Sequence, residues 1–173
     1  MTPIIDRARS LTGAKYVVDD YADPDSFSLR VLAEHARSTA MLIGDDVFPS
    51  NNDRGYVLRR IMRRAIRHAY RLGSKQLVMP SLVETAIGVM AGAYPAVRQR
   101  ADHILSVVTR EEEQFRRTLE RGSVMLDEAM VGRGSMKPLS GAVAFELHDT
   151  YGFQLELTRE IAAERGVEVD EAE

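Results

Sequence analysis

The chain has 173 residues, 45% of them hydrophobic and 28% charged, with no cysteine and a formal net charge of −3. That length is one ordinary domain, or two small subdomains sharing a core, and it can bury about two thirds of its unfolded surface. Disordered and collagen-like chains are excluded by composition, a disulfide scaffold, a thiol nucleophile and thiolate zinc by the lack of cysteine, and a membrane span by the lack of any apolar run of roughly 18–20 residues.

The first 25 residues are mixed and polar, without a signal-peptide apolar stretch, and end in Asp23-Pro24-Asp25-Ser26, a turn and helix-start cluster. From Ser28 to about Ile43, Leu29, Leu32, Ala33, Ala36, Ala40 and Ile43 recur at helical spacing, and Gly44 closes that helix. Asp45 to Asp53 is a loop. A second helix runs from about Gly55 to Leu72 and stops at Gly73. Ser81-Leu82-Val83-Glu84 has capping-box form and opens a third, to about Ala93.

The longest periodic segment, about Pro95 to Met130, steps through Val97, Ala101, Ile104, Val108, Phe115, Leu119, Gly122, Leu126 and Ala129 and is interrupted at Glu111-Glu112. Gly132-Arg133-Gly134-Ser135 and Pro138 break it. Ser140 caps a short helix to about Asp149, and a last one, about Leu155 to Arg165, stops at Gly166. Val167-Glu168-Val169 is the only alternation. The expected fold is therefore all-α: a helical subdomain over 1–94 carrying the second helix, then the long helix with short C-terminal helices over 95–173. Asp170-Glu171-Ala172-Glu173 looks like the first turn of a further helix, as if the chain were cut from something longer.

Net charge conceals a segregation. Of the 23 basic residues only Lys15, Lys75 and Lys137 are lysines, and Arg54 to Arg71 holds seven arginines and no acid, leaving −10 on the other 155 residues. At about 100° per residue, Val57, Leu58, Ile61, Met62, Ala65, Ile66, Ala69 and Leu72 occupy one half of the second helix. Arg59, Arg60, Arg63, Arg64, Arg67 and Arg71 occupy the other, together with Tyr70. Like charges three and four residues apart repel, so either an anionic partner or acidic neighbours in the fold must neutralise this stripe. Guanidinium groups suit bidentate phosphate contacts. Arg54 lies at the positive end of the helix, beside a Ser50–Gly55 loop suited to an anion or a base edge.

Asn51-Asn52 on that loop combine donor and acceptor in one plane, as a base edge requires, although turn chemistry favours asparagine there anyway. Asp149, in His148-Asp149-Thr150-Tyr151-Gly152-Phe153, can only accept hydrogen bonds. At an RNA surface it would select an exocyclic amino group. The histidines (His35, His68, His103, His148) have no metal-ligand spacing, and His68 falls at the boundary of the apolar half. No nucleophile–base pair, glycine-rich phosphate loop or carboxylate cluster appears. The residues describe a nucleic-acid-facing helical module and not a self-sufficient enzyme.

Pro49-Ser50-Asn51-Asn52-Asp53-Arg54-Gly55-Tyr56-Val57-Leu58-Arg59-Arg60-Ile61-Met62-Arg63-Arg64-Ala65-Ile66-Arg67-His68 resembles the alanyl-tRNA synthetase signature P-S-N-x-x-R-G-Y-V-L-R-R-I-x-R-R-A-x-R-H. Phe145-Glu146-Leu147-His148-Asp149-Thr150-Tyr151-Gly152-Phe153 is similar to F-x-L-Y-D-T-Y-G-F-P of the same family, with His148 and Gln154 departing from it. Blocks at Leu29–Ser38 and Glu111–Gly122 agree in order. The resemblance implies the central tRNA-recognition domain of a cytoplasmic class II alanine–tRNA ligase. ATP and Mg would then belong to a catalytic domain before it, and Zn to an editing domain after it. It further implies that Asn51 and Asp149 approach a G·U wobble pair in the acceptor stem of alanine tRNA from opposite grooves. Arg54, Arg59, Arg60, Arg63, Arg64, Arg67 and Arg71 would hold the stem backbone. The alternatives on residues alone are a generic RNA-binding helical module and a helical protein-interaction module.

Overall fold

The computed structural model describes residues 1–130, 139–151, 153 and 155–170, the side chains of 130, 149–151, 156 and 157 excepted. These residues form eight helices: α1 (Thr2–Thr12), α2 (Pro24–Gly44), α3 (Asp53–Arg71), α4 (Met79–Met90), α5 (Pro95–Gln99), α6 (Ala101–Met130), α7 (Gly141–Tyr151) and α8 (Leu155–Glu164). Among the described residues the one extended pairing is a parallel bridge between Leu139 and Val169, where Leu139 N–H donates to Glu168 at 2.7 Å and Asp170 N–H to Leu139 at 2.8 Å. The all-α expectation holds. Residues 131–138, 152, 154 and 171–173, with the glycine-rich break, the Gln154 departure and the expected terminal helix start, lie outside the described residues.

The chain divides into two compact units, Met1–Gln114 and Phe115–Glu173. The division falls within α6, whereas the sequence places its boundary loosely near Pro95, at the start of α5.

In the first unit α2 is the hub, with α1, α3, α4 and α5 all packed on it. Its start is the expected one. Asp23 accepts the Ser26 N–H at 2.7 Å, and these Ser26 hydrogen bonds hold its carboxyl below the usual carboxylate range. Leu29, Leu32, Ala33, Ala36, Ala40 and Ile43 are all fully buried, the alanines giving neighbouring helices a close approach. The sequence does not announce α1, which buries only Ile4, Ile5 and Ala8 from an otherwise polar stretch and ends in a left-handed Gly13 (φ 72°).

Two expectations are corrected. The long helix is not continuous from Pro95: it breaks at Arg100, whose guanidinium donates to Gly44 O at 2.6 Å and to Asp46. The remaining 30 residues of α6 extend about 45 Å. Ser81 does not cap α4, which begins at Met79 with no side-chain cap of its own, and Ser81 Oγ instead accepts Arg7 Nε at 2.7 Å. The cap comes from Glu112 of α6. This buried carboxylate accepts the Val78 N–H at 3.0 Å and the Met79 N–H at 2.8 Å, satisfying first-turn amides and the positive end of the helix dipole together.

In the second unit α7 and α8 pack together, and Leu126, Leu139, Leu147, Phe153 and Ala162 are buried. Ser140 Oγ accepts the Ala142 N–H at 3.2 Å, as a cap at that position should. The buried Phe153 ring lies on Gly122 of α6, so closely that a Cβ there would sit 2.5 Å from the ring. The backbone adds a 2.9 Å bond from Phe153 N–H to Leu147 O, which ties the end of α7 to this notch.

Gly122→Ala should therefore lower the unfolding free energy of the second unit by about 1–3 kcal/mol, as overpacking does. Urea denaturation followed by amide exchange in α7 measures it, and adding Phe153→Leu to the variant should recover part of the loss.

Candidate nucleic-acid interface

Helix α3 is clamped on more of its circumference than its polarity suggests. Leu58, Met62, Ala65, Ile66 and Ala69 are fully buried, as the apolar half requires, but Val57 is 54% exposed. On the arginine half, Arg63 and Arg67 are only 9% and 4% exposed. Part of the arginine half is thus taken into the fold, the alternative in which acidic neighbours neutralise it. For Arg63 the reason is the interruption noted in α6: Glu111 points inward, 5% exposed, and its Oε1 lies 3.1 Å from Arg63 Nε and 3.2 Å from Arg59 Nε. Burial draws the Arg63 guanidinium below the usual arginine range, and Glu111 opposes that shift. Arg71, on an exposed position, donates to Ser28 Oγ at 2.6 Å and to Pro24 O.

What stays outward is a narrower strip. Arg60 is exposed, Arg64 half-buried and Arg71 exposed along α3, Val57 is exposed as well, and Arg54 is exposed in the first turn. The stripe has two fates: its inner arginines are neutralised or enclosed by the fold, and its outer ones border solvent.

The loop before α3 is held tightly. Gly55 permits this, because a Cβ there would lie 2.2 Å from Ser50 Oγ and 2.4 Å from Phe48 O. Ser50 N–H donates to Gly55 O at 3.1 Å, and Ser50 Oγ donates to Asn52 O at 2.8 Å. Asp46 and Asp53 adopt positive φ (61° and 51°), which aspartate tolerates in turns. Phe48 stacks edge-on against His103, ring centroids 5.5 Å apart.

Asn51 and Asn52 are exposed. Asn52, the N-cap residue of α3, makes no side-chain cap bond. The Asn51 side-chain oxygen accepts a hydrogen bond from Arg59 Nη1, while Arg59 Nη2 donates to Pro49 O at 3.2 Å. The loop asparagine and the Glu111-bound arginine are thus one connected group. Sequence reasoning missed Arg59 and Glu111 in this role, although the break in apolar spacing at Glu111-Glu112 was the visible signal.

Asp149 lies in the last turn of α7, in the other unit, and its side chain is outside the described residues. His148, one residue before it, is exposed. Among the described residues no three His, Asp or Glu side chains are grouped to hold a metal ion, and no helix is long and apolar enough to cross a membrane.

Over its whole length, residues 1–173, the chain matches the model of the tRNA synthetases class II (A). The chain belongs to that family. Alanine–tRNA ligase of Delftia acidovorans is 48% identical over 168 residues, covering 97% of this chain and 19% of that protein. The ligase of Anaeromyxobacter sp. is 46% identical over 184 residues (97% and 20%), and that of Renibacterium salmoninarum 47% over 174 residues (98% and 19%). The chain therefore spans about one fifth of the length of these class II relatives.

Two histidines, His68 buried and His35 half-buried, lie beside the arginines of this helix. His68 is 2% exposed, its Nδ1 is 2.9 Å from Ser28 Oγ, and Phe27 meets its ring edge-on. Burial, then Arg67, Arg64 and Arg71, push it down to about 3; burial and Arg64 push His35 down to about 4. Each is neutral when folded but protonates near 6.5 when unfolded. Stability from them is present above about pH 6.5 and is lost as pH falls toward 4 and then 3, by about 1.4 kcal/mol per pH unit for each linked proton. His68→Gln should flatten this acid limb in denaturation curves recorded between pH 7 and 4.

Proposed function

We propose that this chain is the part of an alanine–tRNA ligase that recognises the tRNA acceptor stem, and that it selects a stem bearing a G·U wobble pair. The observation that carries the reading is the exposed Asn51, set on a loop packed hard against α3, with Arg54 exposed three residues on and Arg60 and Arg71 exposed along the same helix. A base-reading group needs such a rigid mount, and phosphate-holding cations need to lie beside it. Wobble geometry leaves the guanine N2 amino group free in the minor groove, where the Asp149 carboxylate would accept it. The displaced uracil O4 faces the other groove, where the Asn51 carboxamide would donate to it.

Arg54, Arg60, Arg64 and Arg71 are the proposed backbone contacts. Arg59, Arg63 and Arg67 serve the fold first, through Glu111 and burial. Attachment of alanine with ATP and Mg, and zinc-dependent editing, are assigned to the rest of the ligase; this chain supplies orientation and choice of RNA.

Gel-shift titrations with G·U and G·C acceptor-stem minihelices test this. Asn51→Ala and Asp149→Ala should each lower preference for the G·U stem by about 1–3 kcal/mol. Equal weakening on both stems would leave only a generic RNA-binding module. Arg60→Ala should weaken both stems alike and reduce the slope of log affinity against log salt by about one. Failure of both stems to bind at low salt would leave the protein-interaction alternative.

A further inference from the structure

We propose that Arg59, anchored by Glu111, is a positioning residue that fixes the orientation of the Asn51 carboxamide, holding its oxygen toward the guanidinium so that its amino group is the end turned away. This deepens the acceptor-stem reading and rests on it.

A carboxamide carries an acceptor and a donor on one carbon, and a half-turn about the last side-chain bond exchanges them. An unrestrained asparagine on a loop therefore reads either kind of base edge. At a major-groove edge uracil presents O4, an acceptor, and cytosine presents N4–H2, a donor. A freely turning Asn51 would satisfy both and tell G·U from G·C poorly.

Arginine removes that freedom because it has five donors and no acceptor. Arg59 Nη1 donates to Asn51 Oδ1, so only the oxygen can face it; the turned amide would set N–H against N–H beside a full positive charge. With Oδ1 turned to the guanidinium, the edge of the Asn51 carboxamide that faces away from Arg59 carries the amino group, which matches uracil O4 and opposes cytosine N4–H2.

The arginine must itself be held, and two further contacts do so. Its Nε lies 3.2 Å from the buried Glu111 carboxylate, and its Nη2 donates to Pro49 O at 3.2 Å. The guanidinium is thus bound at the core, at the loop backbone and at the reading side chain. A phosphate-binding arginine needs its fork open to solvent; this side chain is 18% exposed.

The test compares minihelix preference, the ratio of G·U to G·C affinity, in the 173-residue chain. Arg59→Met should lower that ratio on the order of tenfold, chiefly because the G·C stem ceases to be rejected. Arg59→Lys, which still only donates, should retain most of the ratio. In an Asn51→Ala background, Arg59→Met should no longer change it. An Arg59→Met protein that weakens both stems equally while Asn51→Ala collapses the ratio would overturn the positioning role and leave the stem reading intact. An Asn51→Ala protein with an unchanged ratio would instead sink the stem reading.

A second measurement needs no RNA. The Asn51 side-chain amide signals in 15N NMR should move toward those of a free asparagine in Arg59→Met, and stay in place in Arg59→Lys. Unmoved signals in Arg59→Met would overturn the proposal. Should Arg59→Met fail to fold, Arg59→Gln, which can face the amide with either group, should give the same loss of ratio, and an unchanged ratio there would overturn it equally.

Discussion

The arrangement of the first unit turns on one carboxylate. Glu111 is withdrawn from water and met by two guanidinium groups at 3.1 and 3.2 Å. Removing one member of such a buried group typically costs about 3–5 kcal/mol, because the charges left behind have no water to replace it. Its consequence is a division of labour along α3. The arginines that Glu111 draws inward become structural, and the like-charge repulsion of a crowded cationic face is relieved where the helix is enclosed. The outer arginines keep their charge at the surface.

Both units mount their motif on a glycine. At Gly55 the missing side chain admits Ser50 and the Phe48 carbonyl, which sets the asparagine loop down on α3. At Gly122 it admits the Phe153 ring, which ties down the end of the helix bearing Asp149. Neither glycine has the positive φ that would explain it by backbone freedom; space alone requires them. Anchoring of this kind restricts a polar group without touching it.

Periodicity made α2, the apolar side of α3 and α8 legible to within a few residues, because each buries a stripe large enough to outweigh local preference. Helix α1 escaped because three buried residues in eleven make no clear stripe. The start of α4 was misplaced for a different reason. Ser81-Leu82-Val83-Glu84 has the local form of a cap, but the groups that needed capping found Glu112, more than thirty residues onward, and a distant partner leaves no mark in a local pattern. The same limit applied to the site. Asn51 could be singled out by its motif, and His68 placed at the edge of the core by its angle on the helix. The burial of Arg63 could not be read from α3 alone, since its partner is a carboxylate contributed by α6.

Adjacent residues on a helix point about 100° apart. Glu111 reaches arginines of α3, and Glu112 reaches the amides at the start of α4. A helix held by one such contact could still turn about it or slip along its axis. Held by two neighbouring ones, in different directions and to different elements, this stretch of α6 is indexed like a key with two teeth: a rotation that kept one engaged would withdraw the other, and so would a shift of one residue. The register of α6 against both helices is therefore set by two consecutive carboxylates, and the apolar residues on either side of them need only fill the space that remains.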